Sequence, residues 1–278
     1  VSATLSPFGM SGPYASWEAT DFTLAAQAGW LYVNGEASRE PIRSQSQLIV
    51  DGALGVMGAV GILAALLQRN VAGEGQHLDV SGMESILTMN RFHETTYSYY
   101  GEVTKRIGNR LPRTYPYTLL PCRDGYVAVI CITDEQWEHL CAMIGRPELL
   151  EDPRFKDNLR RSENAEALRP ILEEWLAPQT KEEVFHTAQS WRLPFGIVSN
   201  AADVVNLAQH KARGFFQPLE HSVLGPLLFP SAPFRLSDSP WRMERSAPSL
   251  GQDNDEVYQK FLEIDAKGFS ELKAKGVI

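Results

Sequence analysis

The sequence predicts an α/β fold, and three observations predict it. Short runs with strand character, at Val1 to Thr4, Gln76 to Val80 and Tyr126 to Ile132, alternate with longer helical stretches. One of those stretches, Leu48 to Leu67, is a nearly unbroken apolar run rich in glycine and alanine. The chain also changes character near residue 105. From about 105 to 213 it reads as a small α+β domain, and a proline-rich tail follows.

Taken in order, Val1 to Thr4 reads as the end of a strand that runs into the turn-forming loop Ser6-Pro-Phe-Gly-Met-Ser-Gly-Pro13. A bare apolar strand entering such a loop is an unusual opening for a domain, so an upstream portion is expected on this chain or on a partner. Ala19 to Val33 is mostly apolar and predicted helical, closed by Asn34-Gly35, with a polar loop from Glu36 to Gln47. Leu48-Ile-Val50 leads into Asp51 and a helix running to about Arg69. Ala72-Gly-Glu-Gly75 supplies the C-cap and turn. Gln76 to Val80 alternates as a strand does, and Met83 to about Tyr100 is predicted as one helix.

In the middle block, the Asp124-Gly125 turn precedes the strand Tyr126 to Ile132. Thr133-Asp134 suits a cap for a helix over Glu135 to Ile144, which Arg146-Pro147 breaks. Helices are expected at about Asn164 to Leu176 and Lys181 to Trp191, then a short strand at Phe195 to Val198 and a last helix from Ala201. The tail carries Pro218, Pro226, Pro230, Pro233, Pro240 and Pro248, which suggest short strands and extended crossings. Terminal helices are expected at Asp253 to Leu262 and Phe269 to Lys275.

Composition excludes some functions. With 278 residues, 44% hydrophobic and 22% charged, the chain is long enough for one or two ordinary globular domains. A net charge of −8 and the lack of a basic run argue against nucleic-acid binding. The densest basic stretch, Arg154 to Arg161, is interleaved with Asp157 and reads as a solvated helix face. Cys122, Cys131 and Cys141 fit neither a zinc pattern nor a disulfide framework, and their odd number suits a reducing cytoplasm. The opening residues have no basic run of the signal-peptide kind. Leu48 to Leu67 is long enough for a membrane span. Asp51 and the glycines at 52, 55, 58 and 61 favour instead a buried helix packed closely on a neighbour, with no membrane partner.

Several stretches together resemble the family III CoA-transferases, the group containing formyl-CoA transferase and carnitine CoA-transferase. The strongest is Val50-Asp-Gly-Ala-Leu-Gly-Val-Met-Gly-Ala-Val-Gly-Ile-Leu-Ala-Ala-Leu-Leu67 with Gly73-Glu-Gly-Gln76 after it. Phe8-Gly-Met-Ser-Gly-Pro-Tyr14, Ala19-Thr-Asp-Phe22, Gly108-Asn-Arg110, Glu151-Asp-Pro-Arg-Phe155, Ala212-Arg-Gly214 and Ala247-Pro-Ser-Leu-Gly-Gln252 follow the family's order. The resemblance implies a Rossmann-like large domain, incomplete at its N-terminus and interrupted by the small α+β domain. In that reading residues 1–104 are its first part, 105–213 the small domain and 214–278 the return to the large domain. It also implies an interlocked homodimer, or a partner carrying the absent N-terminal segment that in the family forms much of the CoA pocket.

What the resemblance implies chemically centres on Asp51 as the catalytic carboxylate. It attacks an acyl-CoA thioester and passes CoA to a carboxylic acid through covalent aspartyl intermediates. CoA and acyl-CoA are then substrates, and no permanently bound cofactor is expected. A carboxylate at or just before a helix N-terminus is stabilised by free N–H groups and the helix dipole, although Asp there also serves as a plain N-cap. Ala19, Thr20 and Asp21 fall where the family contacts CoA, and Asp21 alternatively caps the helix that follows it. The related α-methylacyl-CoA racemases have a His base where Thr20 stands, so Thr20 favours transfer over a racemase-like isomerase. Glu18 stands where formyl-CoA transferase has a Lys. His93 is a candidate for the acyl pocket or a structural histidine. Arg110 and Arg113 lie in a turn-rich loop with Leu111-Pro-Arg-Thr114 in place of a glycine run, so no flexible lid is expected. No P-loop or G-x-G-x-x-G pattern points to ATP or NAD. A non-catalytic fragment needing a partner remains the third reading.

Overall fold

A computed structural model describes residues 1–43, 48–89 and 91–278. Its mixed α/β elements divide into two compact units, Val1–Val198 and Ser199–Ile278, a partition different from the three segments expected from sequence. Within the first unit, two separate hydrophobic clusters form, one over residues 24–86 and one over residues 115–195.

The first cluster belongs to a parallel β–α–β arrangement. Strand β1 (Ser2–Ser6) pairs in parallel with β2 (His77–Ser81), Leu5 opposite Val80. Between them come α1 (Asp21–Gln27) and the 24-residue α2 (Ile49–Ala72). Gly73 closes α2 in the left-handed region, at φ 78°, with its N–H donating to the Arg69 carbonyl. The helix lies on the sheet through its small residues. A Cβ at Gly58 would sit 2.7 Å from Leu5, and one at Gly61 would sit 2.7 Å from Leu78. The opposite face stays bare: Val56, Val60, Leu63, Leu67 and Val71 form an exposed stripe at helical spacing, Val71 at 86% exposure. The expected burial of this helix therefore holds for one face only. By length and composition alone α2 also satisfies the criterion for a membrane-crossing helix.

Two predicted helices are shorter than expected. The one expected over Ala19 to Val33 ends at Gln27, because Gly29 adopts φ 74° and successive turns follow. The one expected over Met83 to Tyr100 is split into α3 (Gly82–Leu87) and α4 (Arg91–Tyr100). Residues 44–47 of the expected polar loop lie outside the described residues.

Residues 115–195 surround twenty buried hydrophobic residues. β3 (Tyr117–Cys122) and β4 (Gly125–Ile130) form an antiparallel hairpin, and β5 (Gly196–Ile197) adds to β4. β3 was not anticipated, although Asp124-Gly125 is a hairpin signal that implies a strand on both sides. The helices are α5 (Asp134–Met143), α6 (Asn158–Glu163), α7 (Ala165–Leu176) and α8 (Lys181–Ser190). α5 and α8 open on full capping boxes, Thr133 with Gln136 and Thr180 with Glu183. α6 begins on the Asp157 cap and lies on the basic stretch expected to be a helix face. Arg161 on α6 is 0% exposed. Its Nε and Nη1 donate to the carbonyls of Tyr115 and Phe155, and its guanidinium lies 4.7 Å from the Trp137 ring. The basic stretch thus includes one core residue as well as solvated ones.

The second unit contains α9 (Ala201–Asn206), α10 (Ala208–Arg213) and an antiparallel hairpin of β6 (Phe216–His221) and β7 (Gly225–Pro230). A π-helical segment (Asp255–Phe261) and α11 (Ala266–Ala274) end the chain.

Candidate active site

Asp51 is exposed and is the third residue of α2, inside its first turn. The N-cap position belongs to Leu48, which makes no side-chain cap hydrogen bond, so Asp51 is not the helix cap. That work falls to Asp21. Its Oδ1 accepts from the backbone N–H of Val50 at 2.7 Å and of Asp51 at 3.1 Å. Two of the unsatisfied donors at the start of α2 are thus held by a carboxylate from another helix. The cap of the helix that follows, expected at Asp21, is Thr20. Thr20 accepts from Thr23 N–H while Thr23 Oγ1 accepts from Thr20 N–H, a closed capping box.

The floor beneath Asp51 is well packed. Val50 is fully buried with Leu24, Ala25, Ala28, Leu31 and Ile86, and Ala19 and Phe8 pack against the group. Gly82 makes room for this contact, since a Cβ there would meet Leu24, Val50 and Leu54 at 3.3 to 3.5 Å. The solvent side is bare. Cβ atoms added at Gly52 or Gly55 would meet nothing within 4 Å. Gly55 is one turn beyond Asp51 on the same face, so the flank of the carboxylate is open backbone. The site therefore presents a positioned acid with room for a bulky electrophile beside it.

The loop from Pro7 to Trp17 borders this region. Gly9 and Gly12 adopt φ 85° and 91°, which favour glycine. Asp79 of β2, a residue the sequence reading passed over, anchors the loop by accepting from Met10 N–H at 2.9 Å. Alternation along β2 was the available signal: it puts a carboxylate on the strand face opposite Leu78.

The other candidates are drawn elsewhere. His93 lines a cavity of about 320 Å³ with Tyr32, Tyr97 and Val103. Arg110 pairs with Glu166 at 3.0 Å, and Arg113 lies near Glu102 at 3.7 Å and over the Tyr100 ring. Arg106, not singled out from sequence, donates to the carbonyls of Tyr32, Glu36 and Arg39. Gly108 donates to the Gly35 carbonyl, and its lack of a side chain leaves space for the Glu36 carboxylate. Among the described residues, no three His, Cys, Asp or Glu side chains gather as metal ligands.

The sequence pattern of CoA-transferase family III matches residues 1–254. The succinyl-CoA–L-malate CoA-transferase alpha subunit of Chloroflexus aurantiacus is 28% identical over the whole chain, which spans 65% of that protein. The acetyl-CoA:oxalate CoA-transferase of Acetobacter aceti is 30% identical over 96% of the chain and 68% of its own length. The formyl-CoA:oxalate CoA-transferase of Streptomyces coelicolor is 30% identical over 100% of the chain and 71% of its own. A crystal structure of a CaiB/BaiF family protein from Brucella suis superposes with a TM-score of 0.75 at 28% identity, covering 95% of this chain and 67% of that one. The chain thus spans between 65% and 71% of the length of these relatives.

Proposed function

From the premise that the chain belongs to CoA-transferase family III, we propose that it transfers CoA between an acyl-CoA thioester and a carboxylic acid, with Asp51 as the covalent nucleophile. The observation that carries this reading is the Asp51 site itself: an exposed carboxylate in the first turn of α2, its own N–H held by Asp21, with bare glycine backbone on its flank. The relatives' printed activities supply the substrate class.

In the proposed reaction an Asp51 carboxylate oxygen attacks the thioester carbonyl carbon. The C–S bond breaks, CoA leaves as thiolate, and an aspartyl mixed anhydride remains. The thiolate attacks the Asp51 carbonyl and releases the first acid, leaving an aspartyl-CoA thioester. The acceptor carboxylate attacks that thioester, again freeing thiolate and forming a second mixed anhydride. Attack of thiolate on the new acyl carbon yields the product acyl-CoA and regenerates the Asp51 carboxylate. The amide ends and dipole of α2 favour the anionic form between steps, by about 0.3–1 kcal/mol at an exposed helix end. Ala19, Thr20 and Asp21 are the proposed CoA contacts, and Asp21 is also the positioning residue for Asp51.

Isomerisation beside the thioester carbonyl needs a proton-transferring base near the site. The Thr20 hydroxyl sits in the α1 capping box instead, which supports transfer. The parallel pair β1–β2 and the exposed apolar stripe of α2 support a further proposal. In the working protein this face is covered by a second copy, as an interlocked homodimer, or by a partner carrying the remaining strands of a Rossmann-like sheet. We retain the division at 104/105 and 213/214 in that proposed architecture, and the unpaired cysteines support a cytoplasmic setting.

The test is chemical trapping. After incubation with acyl-CoA, hydroxylamine or borohydride is expected to modify Asp51, read by mass spectrometry. Asp51→Ala is expected to lower turnover by about 10,000-fold or more. An unmodified Asp51 with every competent donor, together with full turnover by Asp51→Ala, defeats the proposal.

A further inference from the structure

Three aromatic rings run outward from the support of Asp51. Phe8 is partly buried against the cluster that contains Val50, the residue before Asp51. Tyr14 meets Phe8 edge-on, with centroids 5.6 Å apart and planes at 69°. Trp17 stacks on Tyr14 at 4.2 Å and 25°. The turn that brings the last two together is closed by Trp17 N–H donating to the Tyr14 carbonyl at 2.9 Å. Packing improves in order toward the core: Trp17 is 54% exposed and Tyr14 40%, while Phe8 is anchored. Rings held in register by one another while open to water are pre-ordered for stacking, because little side-chain freedom remains to be lost on binding. Trp17 is four residues before Asp21, so at most about 14 Å of extended chain separates them.

We propose that Tyr14 and Trp17 form a recognition platform on which a flat, uncharged π ring of the substrate stacks. Glu18, exposed beside Trp17, puts a carboxylate next to the platform. That suits a neutral ring and works against a phosphate group lodged there. The ring is either the adenine base of a CoA thioester or an aromatic ring in the transferred acyl group. The link to substrate rests on the CoA-transfer reading above, but ring binding is measured independently of turnover.

The experiment is calorimetric binding to the full chain and to its Trp17→Ala, Trp17→Phe and Tyr14→Ala variants, with folding checked by circular dichroism. The probes are coenzyme A, the benzoyl thioester of N-acetylcysteamine, and the ring-free acetyl thioester of N-acetylcysteamine. If adenine stacks, Trp17→Ala weakens coenzyme A about tenfold and leaves the benzoyl probe unchanged; if an acyl ring stacks, the two responses exchange. In the responding arm Trp17→Phe stays within about threefold, because a smaller ring still stacks. The proposal is overturned if Trp17→Ala changes neither ring-bearing probe, if it weakens the ring-free probe equally, or if the unaltered chain binds neither ring-bearing probe. Full turnover by Asp51→Ala alongside a Trp17-dependent ring response sinks the nucleophile reading and leaves the platform standing.

Discussion

The cluster over residues 115–195 and the cluster beneath Asp51 belong to one compact unit but are built differently. The first surrounds twenty buried hydrophobic residues with a hairpin and four helices, three of them opened by side-chain caps. The second gathers six, with a helix that packs through glycines on one side and leaves large aliphatics in water on the other. The first closes into a hydrophobic core. The second fixes the backbone N–H of Asp51 and leaves open space at the neighbouring glycines. Under the proposed function, side chains filling the space at Gly52 and Gly55 would add burial but close the flank of Asp51.

Substitutions sharpen that contrast in decreasing order of effect. Phe155 is 0% exposed beside Trp137, and Phe155→Ala is expected to cost about 3–5 kcal/mol by denaturant unfolding. A loss under about 1 kcal/mol would erase the difference between the regions. The same core makes the protein sensitive to alkali. Burial pushes the Cys131 and Cys141 thiols up to about 12, against an ordinary value of 9.0. The folded state therefore holds more protons than the unfolded chain between about pH 9 and pH 12. Its stability is complete below that window and falls as pH rises through it. Urea midpoints from pH 8 to pH 11 check this, with a steady decline expected.

Weaker effects belong to the Asp51 region. Asp21→Ala removes the acceptor for two N–H groups of α2 and is expected to cost about 1–2 kcal/mol, as loss of a helix cap does. Asn, which keeps the acceptor oxygen, restores most of that stability. Turnover is expected to fall in both variants, and a normal rate in Asp21→Ala would break the positioning role. The smallest effect has the opposite sign. Gly55→Ala meets open space and should stabilise the chain by about 0.5–1 kcal/mol through helix propensity, while the added methyl beside Asp51 lowers kcat/KM. A stabilised variant with unchanged kcat/KM would show that the bare flank has no part in catalysis.

Much of the local structure was legible before folding. The Thr133 cap, the Gly73 stop and the start of β4 after Asp124-Gly125 are short-range signals carried within a few residues. So was the likeness carried by Asp51 and its glycine-rich helix, because residue type and order survive without coordinates. What could not be read locally was the partnership across the chain. The cap role expected of Asp21 belongs to Thr20, while Asp21 accepts from the start of α2, about thirty residues further along the chain. Four regularly spaced glycines looked equivalent, yet Gly58 and Gly61 seat Leu5 and Leu78 while Gly52 and Gly55 face open space. Periodicity assigns residues to a face of a helix; which face meets a sheet and which stays open is settled by contacts between segments far apart in the chain. Residue order alone singled out Asp51 as a candidate and placed it at the start of a glycine-rich helix. Non-local packing determined that Asp21 holds it there and that the glycine beside it remains uncovered.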